Sequence, residues 1–212
     1  MILALETSTP RASLALLEKG EIVWQSDFTT RRSHNSKIFE PVAKALEIAG
    51  EKIQLIVVGT GPGSYSGVRV GISVANGLGF ARGIPVIGIS SLAAYPAEKC
   101  TVVGDARRKT FSVAEIEDRQ LIAEPNLIDE EKFTSAIPEL QSPIFTPDSH
   151  VAETFESITL EFPTAENLAK IASCLSADAI ETLSKKPLEP HYLRPPFITV
   201  AKKKPQPLRK KS

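Results

Sequence analysis

GTGPGSYSGVRVGISVANGLGFARG, residues 59–83, is the stretch whose reading decides the fold. It follows an apolar run, residues 53–58, that reads as a buried strand, and its Gly-Pro-Gly turn opens a segment of helical length. Gly71, Gly77 and Gly79 fall inside that segment, each costing roughly 0.8–1 kcal/mol relative to alanine in a helix. Gly67, Gly71, Ala75, Gly79 and Gly83 recur every four residues and form one ridge almost without side chains, along which another backbone can come close. Apolar residues flank the ridge on both sides, so the helix is expected to be buried over most of its circumference. One face would lie on its own sheet and the rest on a second helix. Arg69 and the bounding glycines argue against a membrane span. Gly61, Gly63 and Gly67 lack dinucleotide spacing, and no Gly-Lys-Ser/Thr follows to make a phosphate loop. Backbone amides near Gly63 and Ser64 remain candidates for holding an anion at the helix N-terminus.

Outward from this stretch, residues 1–5, 12–17 and 22–28 read as three antiparallel strands, with Thr7 to Pro10 and Glu18 to Glu21 as turns. Ser33 is read as the N-cap of a helix that puts Ile38, Val42, Ala45 and Ala49 on one face and stops at Gly50. With the strands at 53–58 and 85–89, the order is β-β-β-α-β-α-β. After a polar helical stretch, residues 90–99, the pattern begins again: strand, Asp105, turn, strand at 111–116. Aligning Glu6 with Asp105 also matches Ser13 with Ser112, which suggests a duplicated lobe. Further on, residues 129–136 and 165–183 read as helical and Ile144-Phe145 as a short strand. The expected division is 1–100, 101–201 and a basic tail, 202–212, with a cleft between the lobes near Glu6 and Asp105.

The 212 residues suffice for such a two-lobed α/β protein, and 42% hydrophobic content is that of a globular core. A formal net charge of zero hides an asymmetry: the tail holds six of 25 basic residues and no acid, leaving 19 basic against 25 acidic in residues 1–201. MILALETS has neither a basic leader region nor a long apolar run, so a cytoplasmic protein without a signal peptide is expected. Cys100 and Cys174 lack metal-type spacing and read as reduced thiols. His34, His150 and His191 have no partner at i+3 or i+4, so no metal site is expected. Ser64 and Ser66 read as cap and turn residues with no base beside them, hence no catalytic residue. Arg107 and Arg108 are candidates for anion contact.

Glycine signature, LALETSTPRASLAL, SHNSKIFEPV, VIGISSLAA, DARRKTFSVAEI and EPHYLR together resemble the TsaB family, over residues 1 to about 204. The resemblance implies two actin-like (RNase H-like) lobes with mixed sheets flanked by helices. It also implies a non-catalytic scaffold in the complex that moves a threonylcarbamoyl group onto N6 of adenosine 37 in tRNAs reading ANN codons. Its partners would be a TsaD-like catalytic subunit, forming a heterodimer, and a TsaE-like ATPase, with tRNA reached through the complex. Homodimerisation of the isolated protein is left open. ATP and metal would belong to the partner subunits, with no cofactor of its own. The first two helices of the N-terminal lobe would dock the partner, through Ile38, Val42 and Ala45 and through Gly67, Val68, Gly71, Ile72, Ala75 and Gly79. Gly63, Ser64 and Arg107 are the anion or nucleotide contacts expected. Glu6 stands where the family usually has Asp. The competing reading is a nucleotide-dependent phosphotransferase or ATPase of the actin-like fold with Glu6 and Asp105 as metal ligands; a glycoprotease ranks third.

Overall fold

The computed structural model describes residues 1–29 and 35–193. Ser33, His34 and the basic tail lie outside the described residues. The first lobe follows the expected order: β1 (Ile2–Glu6), β2 (Arg11–Glu18), β3 (Glu21–Thr29), α1 (Phe39–Ala49), β4 (Leu55–Gly59), α2 (Tyr65–Arg82) and β5 (Val86–Ile89). A 3-10 turn, Asn35–Ile38, leads into α1, and Gly50 ends it at φ 55°. The sheet runs β3-β2-β1-β4-β5, antiparallel through β2 and β3 and parallel through β4 and β5. β1 and β4 are apolar without alternation because both of their faces are covered. Leu3, Leu5, Ile56 and Val58 face α1 and α2. Ala4, Leu55 and Val57 face the opposite side.

That opposite side is covered by α5 (Ala165–Ser173), with α6 (Ala177–Ser184) beside it. The sequence reading placed residues 165–183 as one helical stretch in the second lobe. Instead, Ser176 caps a new helix, its hydroxyl accepting from Ala179 N, and the pair returns to the first lobe. Small residues explain the choice: Ala165, Ala169 and Ala172 pack against Ala4 and Ala15, and Ala165 N donates to Ser13 Oγ at 2.9 Å. The expected boundary at 100 and 101 falls one residue inside the first strand of the second sheet, Cys100–Asp105, and the described helices near the end of the 101–201 unit pack on the first lobe.

The second lobe contains β6 (Cys100–Asp105), β7 (Thr110–Glu117), β8 (Gln120–Leu121), β9 (Asn126–Asp129), α3 (Glu130–Ala136), β10 (Ile144–Thr146), α4 (Ser149–Thr154) and β11 (Ile158–Leu160). Its sheet, β11-β10-β6-β7-β8 with β9 also on β7, repeats the topology of the first. The stretch 90–99, read as a polar helix, forms instead a buried 3-10 turn, Ser91–Ala94, joining the lobes. Phe111, Phe133 and Phe155 fill the core under α3 and α4.

Pairing corrects the proposed internal alignment. Glu6 lies opposite Ser13, whereas Ser112 lies opposite Gly104, so matching the two serines puts Glu6 against Gly104 and not Asp105. A shift of one residue changes the face of the sheet. The two acids are not equivalent positions. Among the described residues no helix is long and apolar enough to cross a membrane.

Candidate functional site

Gly63, Gly67 and Gly71 serve the turn that follows β1. Thr7 Oγ1 donates to Gly67 O at 2.9 Å, and Ser64 N donates to Ser8 O at 2.6 Å. A Cβ added at Gly67 would lie 2.2 Å from Thr7 O, one at Gly71 2.3 Å from Thr7 Oγ1, and one at Gly63 2.2 Å from Ser8 O. Gly79 packs on Val86 in the same way. Ile38, Val42, Ala45, Val68, Ile72 and Ala75 all sit in the core between α1, α2 and the sheet. The ridge expected to meet a partner is thus turned inward. Closest approach is needed where α2 crosses the polar turn of its own β1, because a side chain there would separate them.

Glu6 is sealed beneath this turn at 0% exposure. Its Oε1 accepts from Ser8 N at 2.7 Å, and a Cβ at Gly59 would lie 2.0 Å from its Oε2. Burial pushes the Glu6 carboxyl above the usual carboxylate range, and hydrogen bonding from Ser8 and Ser91 only partly offsets this. Among the described residues Oε2 finds no partner of good hydrogen-bond geometry.

The outward face of α2 carries Tyr65, Ser66, Arg69, Ser73, Asn76, Gly77 and Phe80. Phe80 is 93% exposed, and nothing lies within 4 Å of where a Gly77 Cβ would be. Alanine there would favour the helix by about 1 kcal/mol, so within the described chain Gly77 serves no packing purpose. On α1, Phe39 and Ile48 are exposed as well, and Arg82 Nη1 donates to Gly50 O, tying the ends of the two helices together.

Between the lobes lies a cleft of about 880 Å³. Gly63 and Ser64 line one wall and Arg107 the other, so the expected anion contacts share one cavity. Ser64 caps α2, its Oγ accepting from Gly67 N at 3.2 Å. Asp105 lines the cleft, while Glu6 is not among the lining residues. Asp105 Oδ1 accepts from Arg107 N at 2.7 Å, Asp148 Oδ2 accepts from Asp105 N at 2.8 Å, and His150 Nε2 stands 3.4 Å from Asp105 Oδ2. Arg107, Arg108 and Lys109 adopt left-handed φ of 68°, 55° and 56°, a conformation that disfavours side chains.

Sequence reasoning missed Asp148, which lies in a stretch without periodicity, and the segment leading to Leu193. There His191 N donates to Thr60 O at 2.8 Å, His191 Nε2 stands 3.3 Å from Glu124 Oε2, and Tyr192 stacks on Tyr65 at 5.3 Å. EPHYLR was read as a family landmark only, since nothing local shows that it returns to the cleft.

The family model described as TsaD, tRNA N6-adenosine threonylcarbamoyltransferase, matches residues 28–187. The tRNA threonylcarbamoyladenosine biosynthesis protein TsaB of Haemophilus influenzae is 37% identical over 117 residues, 50% of this chain and 49% of that protein. The Escherichia coli protein of the same name is 36% identical over 94 residues, 43% and 40% of the two chains. The chain thus spans about half the length of the curated relatives it matches. A crystal structure of an uncharacterized protein with similarity to peptidase YeaZ from Pseudomonas aeruginosa superposes with a TM-score of 0.68 at 25% identity, covering 91% of this chain and 99% of that one. YeaZ from Pseudomonas aeruginosa gives 0.64 at 26% identity, over 81% and 90%. Two lobes of one sheet topology, the glycine signature packed on the β1 turn and these likenesses lead to one conclusion: the chain belongs to the tRNA N6-adenosine threonylcarbamoyltransferase (TsaD) family and, within it, to the TsaB family.

Proposed function

We propose that this protein is the non-catalytic scaffold subunit of a tRNA threonylcarbamoyladenosine-forming complex in the cytoplasm. In this reading it docks a TsaD-like catalytic subunit as a heterodimer, with a TsaE-like ATPase joining them. The threonylcarbamoyl group is moved to N6 of adenosine 37 in tRNAs reading ANN codons. ATP and metal sit on the partner subunits, and this chain needs no cofactor.

One observation carries the docking role: a helix with a glycine open to space at Gly77 and a phenylalanine 93% exposed at Phe80. Burying that ring would contribute roughly 1.5–3 kcal/mol, and a glycine allows a second helix to come close beside it. The docking surface is therefore the outward face of α2, together with Phe39 and Ile48 of α1. The competing enzyme reading requires Glu6 and Asp105 to share a ligand, and Glu6 is sealed away from the cleft.

The test is co-expression with a TsaD-like subunit, followed by co-purification and a tRNA modification assay. Phe80→Asp and Gly77→Arg are expected to melt as the wild type does, to lose the partner and to abolish modification. Ala75→Arg places a charge at a site with 0% exposure and is expected to unfold the chain by itself, losing several kcal/mol. Retention of the partner by both outward variants would overturn the reading.

A further inference from the structure

β3 is the longest strand of the described chain, with nine residues, and it stands at the edge of its sheet, where among the described residues no strand pairs with its outer side. The opposite edge strand, β5, has four residues, and β11, at an edge of the second sheet, has three. An open edge offers a row of N–H and C=O groups to another chain, and folds usually guard it with proline, lysine or shortness. EIVWQSDFT has no proline and no lysine. Its irregularity, a bulge at Val23, lies near the start of the strand; from Trp24 to Thr29 the pairing with β2 is regular.

The pleat divides the side chains of this regular segment. Trp24, Ser26 and Phe28 share one face, where the two rings pack on the core beneath α1 and α2 yet stay only half-buried. Gln25 and Asp27 are exposed on the other face, with Asp27 Oδ2 3.7 Å from Arg11 Nη2 of β2. This order is self-complementary. Turning the strand about a two-fold axis through Ser26 sets Trp24 of one copy opposite Phe28 of the other, and Gln25 opposite Asp27, each pair occurring twice. Aromatic cross-strand pairs are favoured, the Gln25 amide has an N–H to donate to the Asp27 carboxylate, and no like charges stand directly opposite. An axis through Trp24 would set Glu21 against Asp27, and one through Gln25 would set Trp24 against Ser26.

We propose that two copies of this chain associate through this edge, β3 against β3, antiparallel about a two-fold axis at Ser26, joining two five-stranded sheets into one. The surface is separate from the one that docks a catalytic subunit, because α2 packs on β1 and β4 whereas β3 lies on the far side of β2. Self-pairing goes beyond the docking role and does not depend on it.

The experiment uses the full-length protein alone, by sedimentation equilibrium and by mild oxidation in a Cys174→Ser background, Cys100 being buried. The wild type is expected to show a concentration-dependent dimer. Gln25→Lys sets an ammonium opposite Asp27 at both symmetric pairs and should tighten the dimer about tenfold, whereas Gln25→Glu sets like charges there and should weaken it about tenfold. Gln25 is exposed, so both variants should keep the circular dichroism spectrum of the wild type. Ser26→Cys puts two thiols on the axis, with Cα atoms about 4.5–5.5 Å apart, and should give a disulfide-linked dimer. Gln25→Cys offsets the thiols by two residues, with Cα atoms about 8 Å apart, and should not. A monomer at every concentration overturns the proposal, as does a dimer indifferent to both charged Gln25 variants, or crosslinking of Gln25→Cys in preference to Ser26→Cys. A dimer dissolved by Phe80→Asp also overturns it, in favour of a two-fold contact on α2. Co-purification with a TsaD-like subunit is expected to be unchanged in Gln25→Glu, so the docking role and the self-pairing fail separately.

Discussion

The turn after β1 and the turn after β6 hold the same place in two lobes of one topology, yet they have opposite fates. In the first lobe Glu6, Thr7, Ser8 and Thr9 are all buried, clamped by Gly63 of the turn before α2 and by Gly67 and Gly71 of α2 itself. In the second, Arg107, Arg108 and Lys109 stand exposed in left-handed backbone, with Arg107 on the cleft. The difference follows from what each lobe packs against the turn. The first lobe has an 18-residue helix built with glycines where it crosses the turn. The corresponding helix of the second lobe, α4, has six residues and no glycine. A repeated fold can thus bury most of one copy of a turn, with Ser8, Thr9 and Pro10 still lining the cleft, while leaving the other exposed.

Breaking the clamp should give the largest effect. Gly67→Ala sets a Cβ 2.2 Å from the backbone oxygen of Thr7 and should lower stability by about 3 kcal/mol, since neither backbone can yield cheaply. Gly104→Ala, at the matching strand end of the second lobe, meets first the Ser112 hydroxyl at 2.9 Å, which can rotate. It should cost less than about 1 kcal/mol. Urea midpoints of the two variants compare the lobes directly; equal losses would mean that the sealed turn is no more tightly built than the open one.

A second contrast concerns the acids. The folded-state pKa of Glu6 is raised by burial, so its contribution to stability is fully present below the unfolded value near 4.5 and is lost as pH rises through the folded one. Glu6→Gln does not titrate. It should therefore match the wild type below pH 4 and be more stable at pH 7, by on the order of 1–3 kcal/mol. Asp105→Asn, which removes the partner of His150 at the cleft, should give no such gain. Thermal melts from pH 3.5 to 8 decide it, and a Glu6→Gln curve parallel to that of wild type would remove burial strain from the account.

The smallest effect is expected at the open turn. Arg107→Gly relieves a left-handed side chain at φ 68° and should stabilise by about 0.5–1 kcal/mol while leaving the Gly67→Ala loss unchanged, as the two sites share no partner. A double-mutant cycle in urea measures both.

Much of this was legible beforehand. The apolar runs of β1 and β4, the Gly50 and Gly83 stops, the Ser64 cap and the repeat of strand, acid, turn, strand are local signals, and the first lobe follows them element by element. Gly63, Ser64 and Arg107 line one cleft, and their reading as anion contacts stays an expectation. The stretch from 117 to 163 was hardly readable because its elements are short: β10, α4 and β11 hold three, six and three residues, too few for a period to show.

What the sequence determined by itself was the identity and order of the elements in the first lobe, because periodicity and capping report on a residue's neighbours along its own chain. Which side of α2 the glycines face was decided only in three dimensions: a helix apolar over most of its circumference has no preferred inward face until a particular neighbour requires close approach, and here that neighbour is Thr7. The same holds for α5, whose alanines fit the alanines of β1 and β2 and so leave the second lobe for the first. It holds again for Glu6 and Asp105, alike in sequence yet one residue apart in register, which puts one in the core and the other on the cleft.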